Sequence, residues 1–352
     1  MYARRMRPLK PYVPGEQPRD RRYIKLNTNE NPYPPSPRVQ EYLEQAEAGD
    51  LRLYPDPTSW ELREAVAAQH QLDPQQVFIA NGSDEALAFI FYAFFDGRRG
   101  PILFPNFTYS FYPVYCALYQ IEYQQIPLRD DFTINVSDYY YDAIESTGII
   151  FPNPNAPTGI YLQLDAIERL FKNYHPQGII VIDEAYIAFG GESAVKLLKK
   201  YPTLIIVRTF SKSHCLAGAR LGYVLAGPNL IDALITVKDS FNSYPINRLS
   251  MKIGTLAIAD NEYYERINQR IITTREYVIQ ALKQLDWSVL PSQANFIFAR
   301  KPGYTGAHIY ESLKKQGILV RHFNKEGISD FVRITIGADS DMQQLIARIR
   351  EL

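Results

Sequence analysis

Short apolar runs alternate with longer stretches of helical periodicity over most of this chain. The runs fall at 77–80, 101–104, 149–151, 178–183 and 204–208. They are apolar at successive positions rather than at every second one, as in strands buried on both faces. Strands of this kind separated by helices predict a mostly parallel sheet wrapped by helices, over residues 38–245. A long helical pattern then covers 247–285, and after it the character changes. Apolar runs at 295–298 and 331–336, with a helical pattern near 305–316 between them, predict a smaller α+β domain within 246–352. In 331–336 Val332, Ile334 and Ile336 share one face, which turns Arg333 and Thr335 to the other. Residues 1–37 are rich in Pro and Asn without a period and read as an extended arm.

Composition narrows the function more than the fold. A chain of 352 residues is about two domains long. Lys plus Arg and Asp plus Glu number 38 each, so no basic footprint points to nucleic acid. The longest apolar stretch, Ala86 to Phe95, is too short to span a bilayer, and the basic start runs into prolines rather than an apolar signal core. Cys116 and Cys215 make no disulfide framework, so a reducing cytoplasm is expected. His70, His175, His214, His308 and His322 lack metal-ligand spacing, and no metal site is expected.

Chemistry concentrates where the apolar runs end. Leu204-Ile205-Ile206-Val207 leads into Ser211-Lys212-Ser213, with Arg220 a little further on. A lysine at the mouth of an α/β sheet can form a Schiff base with an aldehyde cofactor, while hydroxyls and an arginine hold a phosphate. For an isolated lysine, a solvated surface position is the plainer reading. The run 178–183 delivers Asp183 to the sheet edge, with Tyr186 close behind. An aspartate there can keep a pyridine nitrogen protonated, or it can simply cap a helix. A magnesium-binding reading needs a phosphate loop containing Gly-Lys, a pair found nowhere in the chain. Pro152-Asn153-Pro154-Asn155-Ala156-Pro157 is a stiff turn that presents Asn155 as a donor. Asn81-Gly82-Ser83-Asp84 opens a helix, a phosphate seat or an ordinary capping box. Tyr109 can stack on a flat ring, and Arg321 and Arg333 can clamp an anion.

Taken in order, these segments resemble the fold-type I pyridoxal-phosphate aminotransferases, and within them the histidinol-phosphate aminotransferases. The resemblance spans nearly the whole chain. It is carried by Pro11-Tyr12-Val13-Pro14-Gly15-Glu16, Leu26-Asn27-Thr28-Asn29-Glu30-Asn31-Pro32-Tyr33, Tyr54-Pro55-Asp56, Asn81-Gly82-Ser83-Asp84-Glu85, Asn153-Pro154-Asn155-Ala156-Pro157-Thr158-Gly159, Asp183-Glu184-Ala185-Tyr186, Ser211-Lys212 and Arg220. It implies an α/β fold: a large cofactor domain, a small α+β domain, and an arm that packs with the small domain or a partner subunit. It implies Lys212 as the imine-forming lysine and base, and Asp183 on the pyridine nitrogen. Asn155 and Tyr186 would bond the ring hydroxyl, with Tyr109 stacked on the ring. Gly82, Ser83, Asp84 (through backbone N–H), Ser211 and Arg220 would hold the phosphate. Tyr54 would reach the phosphate of the neighbouring subunit in an obligate homodimer. Tyr12, Asn31, Arg321 and Arg333 would bind substrate, and glutamate and 2-oxoglutarate would be the second pair. The expected reaction converts L-histidinol phosphate to imidazole acetol phosphate.

There are departures from the family pattern. His214 and Cys215 fill positions usually held by an aromatic residue and glycine, and Ala188 stands where an acid is common. These changes bear on substrate choice rather than on the chemistry. They keep an aromatic amino-acid aminotransferase as the alternative, with a phospho-amino-acid decarboxylase of the same fold behind it. A cofactor-binding regulator would carry a DNA-binding domain ahead of the pattern, which here begins almost at once.

Overall fold

The burial pattern of the apolar runs decides how the sheet packs. The computed structural model describes residue 6 and residues 9–97, 100–140, 146–174 and 178–352; His175 and residues 1–5, 7 and 8 of the arm lie outside them. In chain order the first eight strands are β1 (Ile24–Lys25), β2 (Val77–Ala80), β3 (Ile102–Pro105), β4 (Tyr123–Ile126), β5 (Gly148–Pro152), β6 (Ile179–Asp183), β7 (Leu204–Thr209) and β8 (Gly222–Ala226). Seven of them form one sheet in the order β2-β8-β7-β6-β5-β3-β4. Along β5, β6 and β7 alternate residues enter opposite cores. Ile149, Phe151, Ile180, Ile182 and Ile206 join one apolar cluster, and Ile150, Val181, Ile205 and Val207 join the other. Continuous apolar runs are therefore needed because each face of the sheet is covered by helices.

Two strands of this sheet escaped the sequence pattern. β4 is polar and largely exposed, as an edge strand with one solvated side can be. β8 is a buried five-residue strand that runs antiparallel between β2 and β7. Its register puts Gly222 opposite Ala80 and Thr209, against the start of the helix Gly82–Phe94.

The remaining strands are β9 (Ser288–Val289), β10 (Phe296–Arg300), β11 (Ile318–Leu319), β12 (Arg321–His322) and β13 (Val332–Thr335). Four of these make an antiparallel sheet in the order β12-β13-β10-β9. The arm strand β1 instead pairs in parallel with β11. A third apolar cluster, including Ile297, Val332, Ile334 and Leu345, lies under this sheet. The long helical pattern is two helices, Arg248–Ala259 and Asn261–Lys283. Asp260, at φ −110° and ψ 40°, interrupts the ladder, consistent with the weak helix preference of aspartate. Among the described residues no helix is long and apolar enough to cross a membrane.

Candidate active site

Parallel strands end in a common edge, and that edge brings the candidate residues together. Pro152 pairs with Asp183, and Asp183 with Val207, so the loops after β5, β6 and β7 leave the sheet side by side. They border a cavity of about 350 Å³. Lys212, Asp183, Tyr186, Ser83, Asp84, Tyr109, Ser211 and Arg220 line it from the large sheet side. Tyr12 enters from the arm, and Arg321 and Arg333 from β12 and β13.

Burial sets the electrostatics. Lys212 is enclosed, and loss of hydration, aided by the charge of Arg333, pushes its amine down to about 8. Its Nζ donates to the carbonyl of Thr28 at 3.0 Å. Asp183 is also enclosed, and burial pushes its carboxyl up to about 7. It accepts from the Ala185 N–H at 3.1 Å and, weakly, from Tyr112 Oη at 3.5 Å. No cation pairs with it among the described residues. Burial likewise lowers the Arg333 guanidinium. One of its nitrogens donates to the Asn27 carbonyl at 3.0 Å, while Nε is buried without a partner.

At the other end of the cavity Asp84 accepts from Tyr109 Oη at 2.9 Å and from Arg220 at 3.0 Å. Arg220 lies over Gly82, whose φ of +81° and missing Cβ leave room for the guanidinium. A Cβ on Gly222 would sit 2.5 Å from the Ser83 nitrogen, so this close approach depends on glycine. Gly222→Ala is expected to cost about 1–3 kcal/mol of stability through overpacking, measured by urea unfolding.

Four expected residues are not at the cavity wall, among them Gly82, which lies under Arg220. Asn155 is buried, but its Nδ2 donates to the Phe107 carbonyl at 2.9 Å and to Thr158 Oγ1 at 3.1 Å. Asn31 stands behind Lys212 and donates to its carbonyl at 2.9 Å, which makes it a brace for the lysine loop. Tyr54 is 80% exposed and stacks on Tyr244 with ring centroids 4.7 Å apart. The departures also fall elsewhere. His214 packs between Phe210 and Tyr264, each 5.0 Å away, and it lines a separate cleft with Ala188. Neither they nor Cys215 borders the cavity, so they do not contact what it holds.

Several wall residues carried no role in the sequence reading: Thr28, Asn29, Thr108, Thr209 and Phe323. Thr209 could have been found from its place two residues before Ser211, whose N–H it accepts at 3.1 Å. Thr28 and Asn29 lie in the Asn-rich arm motif 26–33, which carries the family resemblance without assigning either of them a role.

The chain matches the family described as aminotransferase class I and II over residues 21–349. It is 55% identical to the histidinol-phosphate aminotransferase of Syntrophus aciditrophicus, across 100% of this chain and 98% of that protein. It is 49% identical to the histidinol-phosphate aminotransferase of Pseudomonas syringae pv. syringae, across 98% and 97%. The crystal structure of histidinol-phosphate aminotransferase from Sinorhizobium meliloti in complex with pyridoxal 5'-phosphate has the same fold, with a TM-score of 0.85, 24% identity, and coverage of 94% and 92%.

The cavity suits that cofactor on its own terms. It offers an enclosed amine of depressed basicity at one wall and an enclosed carboxylate lacking a cation. Hydroxyls, a helix N-terminus and Arg220 lie where a phosphate can be received. Site chemistry and full-length similarity converge, and the chain belongs to the class I and II aminotransferases, within them to the histidinol-phosphate aminotransferase family.

Proposed function

We propose that this protein transfers the amino group of L-histidinol phosphate to 2-oxoglutarate, giving imidazole acetol phosphate and L-glutamate, with pyridoxal phosphate as cofactor. The observation that carries the substrate is the arginine pair. Arg321 and Arg333 are register partners on β12 and β13, and both reach the cavity. A buried guanidinium with an unpartnered Nε is a strong donor to an incoming dianion. The same pair would serve a carboxylate of glutamate in the return half of the cycle.

When bound, the cofactor supplies an aldehyde for the lysine amine and a ring that withdraws electrons from the reacting carbon. Lys212 Nζ is the group that takes the proton from the amine-bearing carbon of the substrate. Its lowered basicity keeps a useful fraction of free amine near neutral pH. Asp183 would hold a proton on the ring nitrogen, and that partner cation would stabilise its own charge. Ser83, the Asp84 N–H, Ser211 and Arg220 would hold the phosphate, Tyr109 would cover one ring face, and Tyr186 would face the ring oxygen, since Asn155 gives its Nδ2 protons to Phe107 and Thr158.

The full assembly belongs to this proposal too. Exposed Tyr54, with Leu51, Leu53 and Phe241 also exposed, supports a homodimer in which Tyr54 reaches a second copy's cavity. The division into arm, large domain 38–245 and small domain 246–352 is part of the same reading, as is a cytoplasmic location.

The deciding experiment compares kcat/KM for histidinol phosphate, histidinol and phenylalanine with 2-oxoglutarate as acceptor. Histidinol phosphate should be preferred. Arg333→Lys should lower its kcat/KM about ten- to hundredfold, since one charge-assisted bond contributes roughly 1.5–3 kcal/mol and an ammonium offers no fork. Phenylalanine equal to or better than histidinol phosphate would instead mark a carboxylate clamp and an aromatic amino-acid aminotransferase.

A further inference from the structure

Asn29 is 1% exposed, on the arm, at the boundary between the two sheets. Its backbone N–H donates to Thr335 Oγ1 at 3.0 Å. Among the described residues the Thr335 hydroxyl has no acceptor other than Asn29 Oδ1, also at 3.0 Å, so its proton goes there. With Oδ1 occupied by a donor, the Nδ2 end of the amide must be the one that faces Tyr186 Oη, at 2.9 Å. The backbone carbonyl of Asn29 accepts from Asn295 Nδ2 at 3.1 Å, which fixes the residue from a third side. The left-handed backbone, at φ 55°, is one that asparagine tolerates.

An amide nitrogen only donates. Tyr186 therefore receives a hydrogen bond from Asn29 and must send its own proton elsewhere. Among the described residues no protein group accepts it, and the hydroxyl borders the cavity. We infer that Asn29 is a positioning residue: it forces the Tyr186 hydroxyl to act as a donor into the cavity, toward the ring oxygen of the cofactor. The inference rests on the reading of Tyr186 given above. The effect is preorganisation, since the direction of the proton is set before anything binds.

Asn29→Asp reverses the polarity at nearly constant shape. A carboxylate accepts, so the Tyr186 proton turns away from the cavity. The charged groups around the hydroxyl are Arg333, Asp183 and Lys212, and a new carboxylate acts on all of them. The test must therefore separate charge from direction. The visible absorbance of the pyridoxal-phosphate-loaded protein is titrated with pH for wild type, Asn29→Asp, Tyr186→Phe and the double variant. A donor on an anionic ring oxygen lowers the midpoint, and its loss raises it.

Tyr186→Phe should raise the midpoint by about one pH unit. Asn29→Asp should raise it by about one unit more in the presence of Tyr186 than in the Tyr186→Phe background. Equal shifts in both backgrounds would show a simple charge effect and overturn the inference. An unchanged midpoint in Tyr186→Phe would overturn the donor reading of Tyr186 and this inference with it. Asn29→Gly, which suits the left-handed backbone, removes the amide without adding charge. It should raise the midpoint by about half a unit, and only where Tyr186 is present. No shift in that variant counts against the inference even if Asn29→Asp fails to fold.

Discussion

Lys212→Ala should lower kcat by on the order of 10⁵–10⁶, the loss seen when a covalent catalyst is removed. No other lysine among the described residues lines the cavity, so no neighbour can substitute. Borohydride reduction should attach the cofactor covalently to the wild-type protein and not to the variant. An adduct on a different lysine would reassign the site. The pH dependence offers a second check. Only the neutral amine attacks an aldehyde, and burial has brought Lys212 to about 8. The rate at which the cofactor-free protein takes up pyridoxal phosphate should therefore rise with pH and level off above about 8. An amine of ordinary basicity would keep the rate rising toward pH 10.

Asp183→Asn should lower kcat by on the order of 10²–10³ while cofactor binding weakens far less, because the interaction matters most as charge develops in the ring. A variant with near-normal kcat would mean that another group protonates the ring nitrogen. The same substitution should stabilise the cofactor-free protein. Burial raises the Asp183 carboxyl from 3.8 to about 7, so the folded state binds a proton that the unfolded state has already lost. Stability from this group is full below about pH 4, falls as pH rises through about 7, and then levels off. The amide carries no such penalty. Above pH 7 the cofactor-free variant should be more stable than wild type by on the order of 2–4 kcal/mol, as read by urea unfolding. A difference between variant and wild type that is the same at pH 5 and pH 8 would show that Asp183 titrates normally. Activity and stability are thus opposed at this residue: the buried charge serves the bound cation and weakens the empty protein.

The Arg333 and Asn29 substitutions test different functions of neighbouring residues. Arg333 acts on what the substrate carries, so its replacement should change kcat/KM among substrates. Asn29 acts through Tyr186, so its replacement should change the spectrum of the loaded protein before any substrate is added.

Local pattern was enough to determine β2, β3, β5, β6 and β7, which are buried on both sides. A run such as 178–183 has few other ways to satisfy water and backbone together, and it necessarily ends with Asp183 at the sheet edge. Lys212, Ser83 and Tyr186 were legible for the same reason, since each follows a strand by a short turn. The edge strand β4 was not, because an edge needs no apolar run, and β8 was passed over although it is apolar and buried; its antiparallel direction is set by neighbours far along the chain. Which way a polar side chain faces was decided in three dimensions. Asn31, Asn155 and Asn29 all stand in turn-rich segments that look alike in one dimension. One braces the lysine loop, one spends its donors on a neighbouring turn, and one meets Tyr186 and Thr335. Asn29 and Thr335 are separated by 306 positions. A hydrogen bond across that distance leaves no periodic trace in sequence, because only the packing of the arm against both sheets brings donor and acceptor within 3 Å.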